Sequence, residues 1–543
     1  MNRKPLIPGM TFESDTEYYA DKKEYHIYPS DDFREIHVWW TFMNTAGTPL
    51  RAAFVLDHVK NVTVDLCGAK LIFHGRIMPF AVFDCENIRF RNFSIDYDRP
   101  FYTQGTVLSS EPGKIVLDIP KEFGFRVEGH DLIAVSDTWE HRLTDGDMLL
   151  RCFDPVSKKP SSHSDTILAL VGDEIHPRPN PPLPIHHLYA EQGEERTLTL
   201  TGLPEHFRPL PGEILAMTHE DRRKEGFLLE RDTDTAFENI RLLHIGAMGI
   251  VANLCHNITA DGFAMYLDEE TGSRIITVNA DSFHCFHCSG LIRLENCRFE
   301  NMLDDAVNIH GNYLVLAEDT DGGKTFVFEN RAASLLDMEY LRPGDRVTVY
   351  RQNTQEIRAE LTVSEAVYEP GQTKRMRVTF TEPPACTLIA GDILESCRMP
   401  EIEIRNCVSK CMGGFRISSG KRVLIEHCRF ETAGFSVAFT GDMNYWYENG
   451  PVRDVTVRNC EFIDCGAPVA TYCGFQKTAA APYYHRNLVF ENNTIRSSRS
   501  SVLNLSDMDG IVYRNNTFIP MEDCPAPTGE HVILHSCDHV TIE

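Results

Sequence analysis

The chain has 543 residues, 42% hydrophobic and 24% charged, a globular composition long enough for two or three folding units. No run of eighteen apolar residues is present to cross a bilayer, so a soluble protein with no membrane partner is expected. A formal charge of −26 repels polyanions and argues against nucleic-acid and pectin-like partners.

The first segment, MNRKPLIPGMTFESDTEYYADKKEYHIYP, lacks the apolar stretch of a secretory signal. The expected location is the cytoplasm or, where a leader has been removed, the periplasm or the exterior. The seventeen cysteines are odd in number and mostly sit in strand-like text such as RNCVSKC, EHCRF and RNCEF. They read as buried free thiols that behave as small hydrophobes.

A phrase recurs along the chain: β-type residues, then Asn with Cys, Asn or Phe, then an apolar pair. It appears as ENIRFRNFSID at Glu86 to Asp96, FENIRLLHIGAMGIV at Phe237 to Val251, LIRLENCRFENM at Leu291 to Met302 and EIEIRNCVSKC at Glu401 to Cys411. RVLIEHCRFETAG, DVTVRNCEFIDCG, NLVFENNTIRSS and GIVYRNNTFIP follow. The turn positions Asn406, His427, Asn459, Asn492 and Asn515 are separated by 21, 32, 33 and 23 residues, as for a coil of 21–23 residues with loops inserted in some turns. β-type alternation at that period predicts an all-β parallel solenoid, a right-handed parallel β-helix. Its coils would stack about 4.8 Å apart and ladder the Asn side chains at a turn of left-handed backbone. An array of hairpins is the alternative.

Two stretches break the pattern with antiparallel β text: KIVLDIP, DLIAVSD and TLTLTGLP in the first, DRVTVYR and RMRVTFTEPP in the second. The expected division is 1–99 for the first coils, 100–225 for the first insertion and 226–313 for the acid-bearing coils. The second insertion then occupies 314–400 and the C-terminal coils 401–543. Each insertion starts and ends beside a solenoid phrase and could wall in one side of a cleft.

The segment NADSFHCFHCSGLIRLENCRFENMLDDAVNIHGN holds three carboxylates, Asp281, Asp304 and Asp305. The 23 residues from 281 to 304 make about one coil, which places the three acids on adjacent rungs. Clustered carboxylates repel, so one keeps a proton beside ionised neighbours, the division of labour that glycoside hydrolysis needs. Inverting enzymes separate acid and base by about 6.5–9.5 Å and retaining ones by about 5–5.5 Å, and adjacent rungs are expected to supply the longer gap. Asp304 and Asp305 can face one cleft only where the backbone bends or bulges. A solvated acidic turn and a calcium site remain alternatives. His284, Cys285, His287 and Cys288 lack the second half of a metal motif and read as structural, so no metal or other cofactor is expected.

These stretches resemble glycoside hydrolase family 110, the α-1,3-galactosidases. The resemblance rests on GFLLERDTDTAFENIRLLHIGAMGIV, ADSFHCFHCSG, FENMLDDAVNIHGNYL and NYWYENGPVRDVTVRNCEFIDCG, with FRNFSIDYDRP and GAKLIFHG upstream, and runs from about Arg51 to about Asn516. It implies a β-helix with two inserted β-barrel domains and a metal-free, inverting, exo-acting hydrolase that removes terminal α-1,3-linked galactose from glycans. It also implies Asp304 as general acid, with Asp281 and Asp305 activating the water. The family's usual opening, a secretion signal and an Asp-Phe-Gly-Ala strand with a capping helix, is not found here, which leaves coil closure and export open.

Candidate substrate-binding residues are His310 and Asn308 beside the acid pair, Arg416 and Lys421 on the next coil, Glu230 and Arg231 after the first insertion, and Asp442 and Trp446 in the loop GDMNYWYENG. A satisfied core histidine, solvated surface charges and a core tryptophan are the bland readings of these positions. Competing functions are a glycosidase for another sugar or linkage, a non-catalytic glycan-binding β-helix, and a calcium-dependent lyase. A homo-oligomer is compatible with the sequence.

Overall fold

The computed structural model describes residues 2–543 except 30–32, 37–39, 42–49, 145–147, 162–165, 174–183, 220–224, 333–334, 337–340, 353, 370–373, 443–445, 474–481 and 523–526. Described regular structure is almost wholly strand, and one three-residue 3₁₀ turn, Glu269–Thr271, is the sole helical element. No described helix is long and apolar enough to cross a membrane.

The chain winds into a right-handed parallel β-helix whose coils carry three strand faces. One coil shows the plan. Phe283–Phe286 lies on the first face, Ser289–Glu295 on the second and Arg298–Glu300 on the third, and each pairs in parallel with its counterpart in the next coil. Register is set by burial, because alternate residues such as Ile292 and Leu294 point into one long core that also takes Phe90, Phe237, Phe415, Phe430 and Phe462.

The corner between the second and third faces needs a residue in left-handed backbone, and Asn tolerates it best among residues with a Cβ. Asn296, Asn406, Asn459, Asn492 and Asn515 adopt φ between 54° and 55° there, and His427 takes the same place at 56°. The residue that follows points inward. Cys297, Cys407, Cys428 and Cys460 stack in that column and Asn493 and Asn516 continue it. Eleven of the cysteines whose side chains are described are buried. Outside, register aligns Glu295, Arg405, Glu426, Arg458, Glu491 and Arg514, so every neighbour along the second face has the opposite charge.

The first insertion is a closed seven-stranded barrel between Tyr102–Glu111 and Ile214–Thr218, with a three-stranded meander from Phe125 to Arg142 beside it. It is antiparallel except where Ile167–Val171 pairs in parallel with Ile185–Gln192. The second insertion is a six-stranded antiparallel barrel, closed by pairing of Ile393–Ser396 with both Arg346–Tyr350 and the extended strand Val307–Asp319. That strand begins as a first-face rung and runs straight on into the barrel, so the second insertion departs immediately after His310.

Candidate active site

Asp304 and Asp305 lie in the bend between the third and first faces, not in a strand, because regular pairing resumes only at Val307. The bend lets both side chains address the cleft. Asp281 occupies the same corner one coil earlier, where the N–H of Ser282 donates to the Asp305 carbonyl at 3.0 Å. One oxygen from each of the three carboxylates lies within 4.8 Å of the others. Three hard oxygen donors this close would also suit a divalent cation.

Asp281 and Asp305 are 3% and 4% exposed, while Asp304 is the most accessible of the three. Burial pushes the Asp305 carboxyl well above its ordinary value; Arg416 opposes this, and Asp304, Asp281 and Glu448 add to it. The Arg416 Nε donates to Asp305 Oδ2 at 2.9 Å, and its Nη1 stands 3.7 Å from Glu448. Burial works against the Arg416 charge, yet Asp305, Glu448 and Asp304 together hold it above the usual guanidinium value. One cation shared among three acids does not offset the loss of water around Asp305, so its carboxyl is protonated more readily than an exposed one.

A chain of hydrogen bonds behind Asp281 fixes a second proton. His310 Nδ1 lies 2.6 Å from the Gly311 carbonyl, which can only accept, so that nitrogen carries hydrogen. Burial lowers His310 to about 4, which leaves it neutral with Nε2 as an acceptor. The His284 Nε2, 2.9 Å away, must then donate. His284 Nδ1 is 2.6 Å from Asp281 Oδ2, and a neutral His284 would offer Asp281 only a lone pair. The pair therefore shares one further proton, placing an imidazolium against an ionised Asp281 or the tautomer of that state. This assignment follows from the hydrogen-bond network.

A right-handed β-helix family model, described as "Right handed beta helix region", matches residues 389–524. Alpha-1,3-galactosidase B of Bacteroides thetaiotaomicron is 28% identical over 490 residues, which cover 87% of this chain and 75% of that protein. Alpha-1,3-galactosidase B of Phocaeicola vulgatus is 26% identical, covering 95% and 89%, and alpha-1,3-galactosidase A of Shewanella woodyi is 26% identical, covering 89% and 77%. The chain is similar to α-1,3-galactosidases. Among solved structures, the polygalacturonase of Erwinia carotovora ssp. carotovora aligns over 96% of this chain and 89% of its own with a TM-score of 0.39 and 9% identity.

Within this galactosidase-like chain the other expected residues divide. Asn308 stands between His284 and Arg416 on one outward-facing row, buried, its Oδ1 without a partner among the described residues. Asp442 accepts the Trp446 N–H at 2.6 Å and donates its own to the Glu448 carbonyl at 3.0 Å, which ties this loop to the site; its tip, 443–445, lies outside the described residues. Lys421 is exposed at the far end of its coil, and its backbone N–H donates to Ser419 Oγ. Glu230 and Arg231 also lie apart from the acids. Register places Glu230 three rungs before His310, roughly 14 Å away, while Arg231 bonds Asp84 at 2.8 Å twice. Composition marked these three charged residues as candidates, and the strand register separates them from the cleft.

Two residues of the site, Glu448 and Arg151, were not singled out, and His284 was read only as structural although it bonds Asp281 at 2.6 Å. Glu448 sits two positions after Trp446 in a loop already marked for the pocket. His284 has a signal in its spacing, three residues after Asp281 at the start of the next strand. Arg151 comes from the first insertion and donates to the Leu303 carbonyl beside Asp304 at 3.1 Å. No sequence pattern points to it.

Proposed function

We propose that the chain is an inverting exo-glycosidase that releases terminal α-1,3-linked galactose from oligosaccharides or glycoconjugates. The observation that carries this reading is the convergence of Asp281, Asp304 and Asp305 in one bend, with Arg416 bonded to Asp305 and His284 to Asp281. The sugar and linkage follow from the names of the similar proteins, which cover most of this chain.

In this reading Asp304, the accessible acid, gives its proton to the bridging oxygen as the bond from that oxygen to the anomeric carbon breaks. Asp281 and Asp305 take a proton from a water that attacks the same carbon from the opposite side. His284 and Arg416 keep those two carboxylates oriented, and Asn308 offers a buried carbonyl oxygen to a sugar hydroxyl. Exo action on a terminal sugar is supported by the second barrel departing after His310, with Glu448–Asn449 paired across Gly311–Asn312 beside the acids.

One observation favours retention instead. One oxygen from each carboxylate lies within 4.8 Å of the others, an approach close enough for one acid to act as a nucleophile while another protonates the bridging oxygen. Proton NMR of fresh product from Galα1-3Gal decides between them. Inversion predicts β-galactose first, with no release by Asp304→Asn; α-galactose first would assign Asp281 or Asp305 as a nucleophile, and no release by the wild type would overturn the substrate.

A further inference from the structure

A cavity of about 380 Å³ opens between the first barrel and the coil corners, and one of its lining residues, Arg151, bonds the Leu303 carbonyl beside Asp304. Its volume falls in the range of small-ligand sites, about 300–1,000 Å³. In a chain of net charge −26 its lining is basic, with Arg151, Lys158, Lys159, Lys410 and Arg499 set against Glu431 and Asp464. Both acids are already engaged. Glu431 takes Arg429 at 2.7 Å and Lys159 at 3.2 Å, and Asp464 accepts from the Ser498 N–H and hydroxyl at 3.1 and 2.6 Å.

The remaining cations are under-used. Among the described residues Lys158 Nζ reaches only the Arg274 carbonyl, at 3.4 Å, and Lys410 has no ion-pair partner. Arg151 spends Nε on Thr166 Oγ1 at 2.7 Å and Nη1 on the Leu303 carbonyl at 3.1 Å, which leaves Nη2 without a protein acceptor among the described residues. Burial lowers Arg151 to about 10 while Asp304 opposes the fall, so it is a cation at neutral pH.

Position gives the cavity a meaning. Its solenoid lining starts with Asn301 and Met302 on the Asp304 coil and continues through Met412 and Ala433 on later coils, with none from the coil of Asp281. Along the solenoid axis it therefore lies on the side of Asp304 away from Asp281. A general acid stands at the bridging oxygen, and the leaving sugar extends beyond it.

We propose that this cavity binds an oxyanion substituent, a sulfate ester, phosphate or carboxylate, on the leaving-group side of the glycan; this rests on the glycosidase reading above. Charge-assisted hydrogen bonds from Lys410, Lys158 and Arg151 would hold it.

Calorimetric titration of the full chain at fixed ionic strength with galactose 6-sulfate, galactose and sodium sulfate tests this without turnover. The sulfated sugar is expected to bind about tenfold or more tighter than galactose, the worth of one charge-assisted hydrogen bond. Lys410→Glu and Lys158→Glu, each at a part-exposed lysine whose replacement spares the core, should each abolish the preference. Equal affinity for the two sugars, or a preference that survives both substitutions, overturns the proposal. So does sodium sulfate binding as tightly as the sulfated sugar, which would assign the cavity to a free anion. Because hydrolysis is not read, failure of the galactosidase reading shows in the NMR experiment and not here.

Discussion

Replacing Arg416 with Met tests the electrostatic design of the site. The substitution keeps most of the side-chain volume and removes the 2.9 Å bond to Asp305 together with the cation 3.7 Å from Glu448. Removing one partner of a buried ion pair costs about 3–5 kcal/mol when the other stays charged. Asp305 escapes part of that cost by keeping its proton to still higher pH, since the group that opposed its upward shift is gone. A protonated Asp305 cannot take a proton from water, so kcat/KM at neutral pH should fall by about 10²–10⁴-fold, the usual contribution of a general base. The acid limb of the kcat/KM profile should move to higher pH, and activity should partly recover as pH rises. Stability carries a matching sign. A carboxyl whose native pKa exceeds its unfolded value holds a proton that the unfolded chain releases, so stability falls as pH rises through that interval. The interval is wider in the variant, and its melting temperature should trail the wild type more at pH 8 than at pH 5. An unmoved acid limb would refute the role given to Arg416.

Dialysis against EDTA should leave galactose release unchanged; loss of activity restored by calcium would turn the three aspartates into a metal site. Glu230, held up to about 7 by burial against 4.5 when unfolded, keeps a proton that the unfolded chain loses between those values. Glu230→Gln should therefore stabilise the protein by roughly 3 kcal/mol at pH 8 and little near pH 4.5, as read by melting at the two pH values; a constant offset would contradict the shift. Asn493 accepts the Cys460 N–H at 2.9 Å and donates to Asn516 and to the Val457 carbonyl, both at 3.1 Å. Asn493→Ala strands the buried Cys460 N–H and should cost about 1–3 kcal/mol in urea unfolding, whereas an unchanged midpoint would mean that the column tolerates the gap.

The coil was legible because its corner imposes a backbone that few residues accept. Asn406, Asn459, Asn492 and Asn515 repeat for that reason, and His427 could be placed among them only because the spacing held. The column of cysteines followed from the same register, since the residue after the corner always points inward. Less visible was the topology of the first barrel. Its parallel pair, Ile167–Val171 with Ile185–Gln192, uses strands whose text is as apolar and as short as that of their antiparallel neighbours, and strand text alone does not state its partner.

The acids were legible for a narrower reason: Asp281 and Asp304 are one coil apart, and within an uninterrupted solenoid, sequence distance converts directly into rung number. That conversion fails across an insertion. Arg416 lies 112 residues beyond Asp304, yet it occupies the very next rung, because the second barrel leaves from the strand that holds Asn308 and returns beside it. Glu448 is brought back the same way, by a strand laid antiparallel to Gly311–Asn312. Arg151 reaches the Asp304 bend from a barrel that departs after the strand ending at Tyr97, 207 residues before Asp304 in the chain. The acids and Arg416 are carried by the repeat, whereas the first barrel brings Arg151 to the Asp304 bend and the second sets Arg416 far from the acids in sequence. Without a cation the Asp305 carboxyl would be raised further still, and Arg416, on the rung that resumes after the second barrel, opposes that rise.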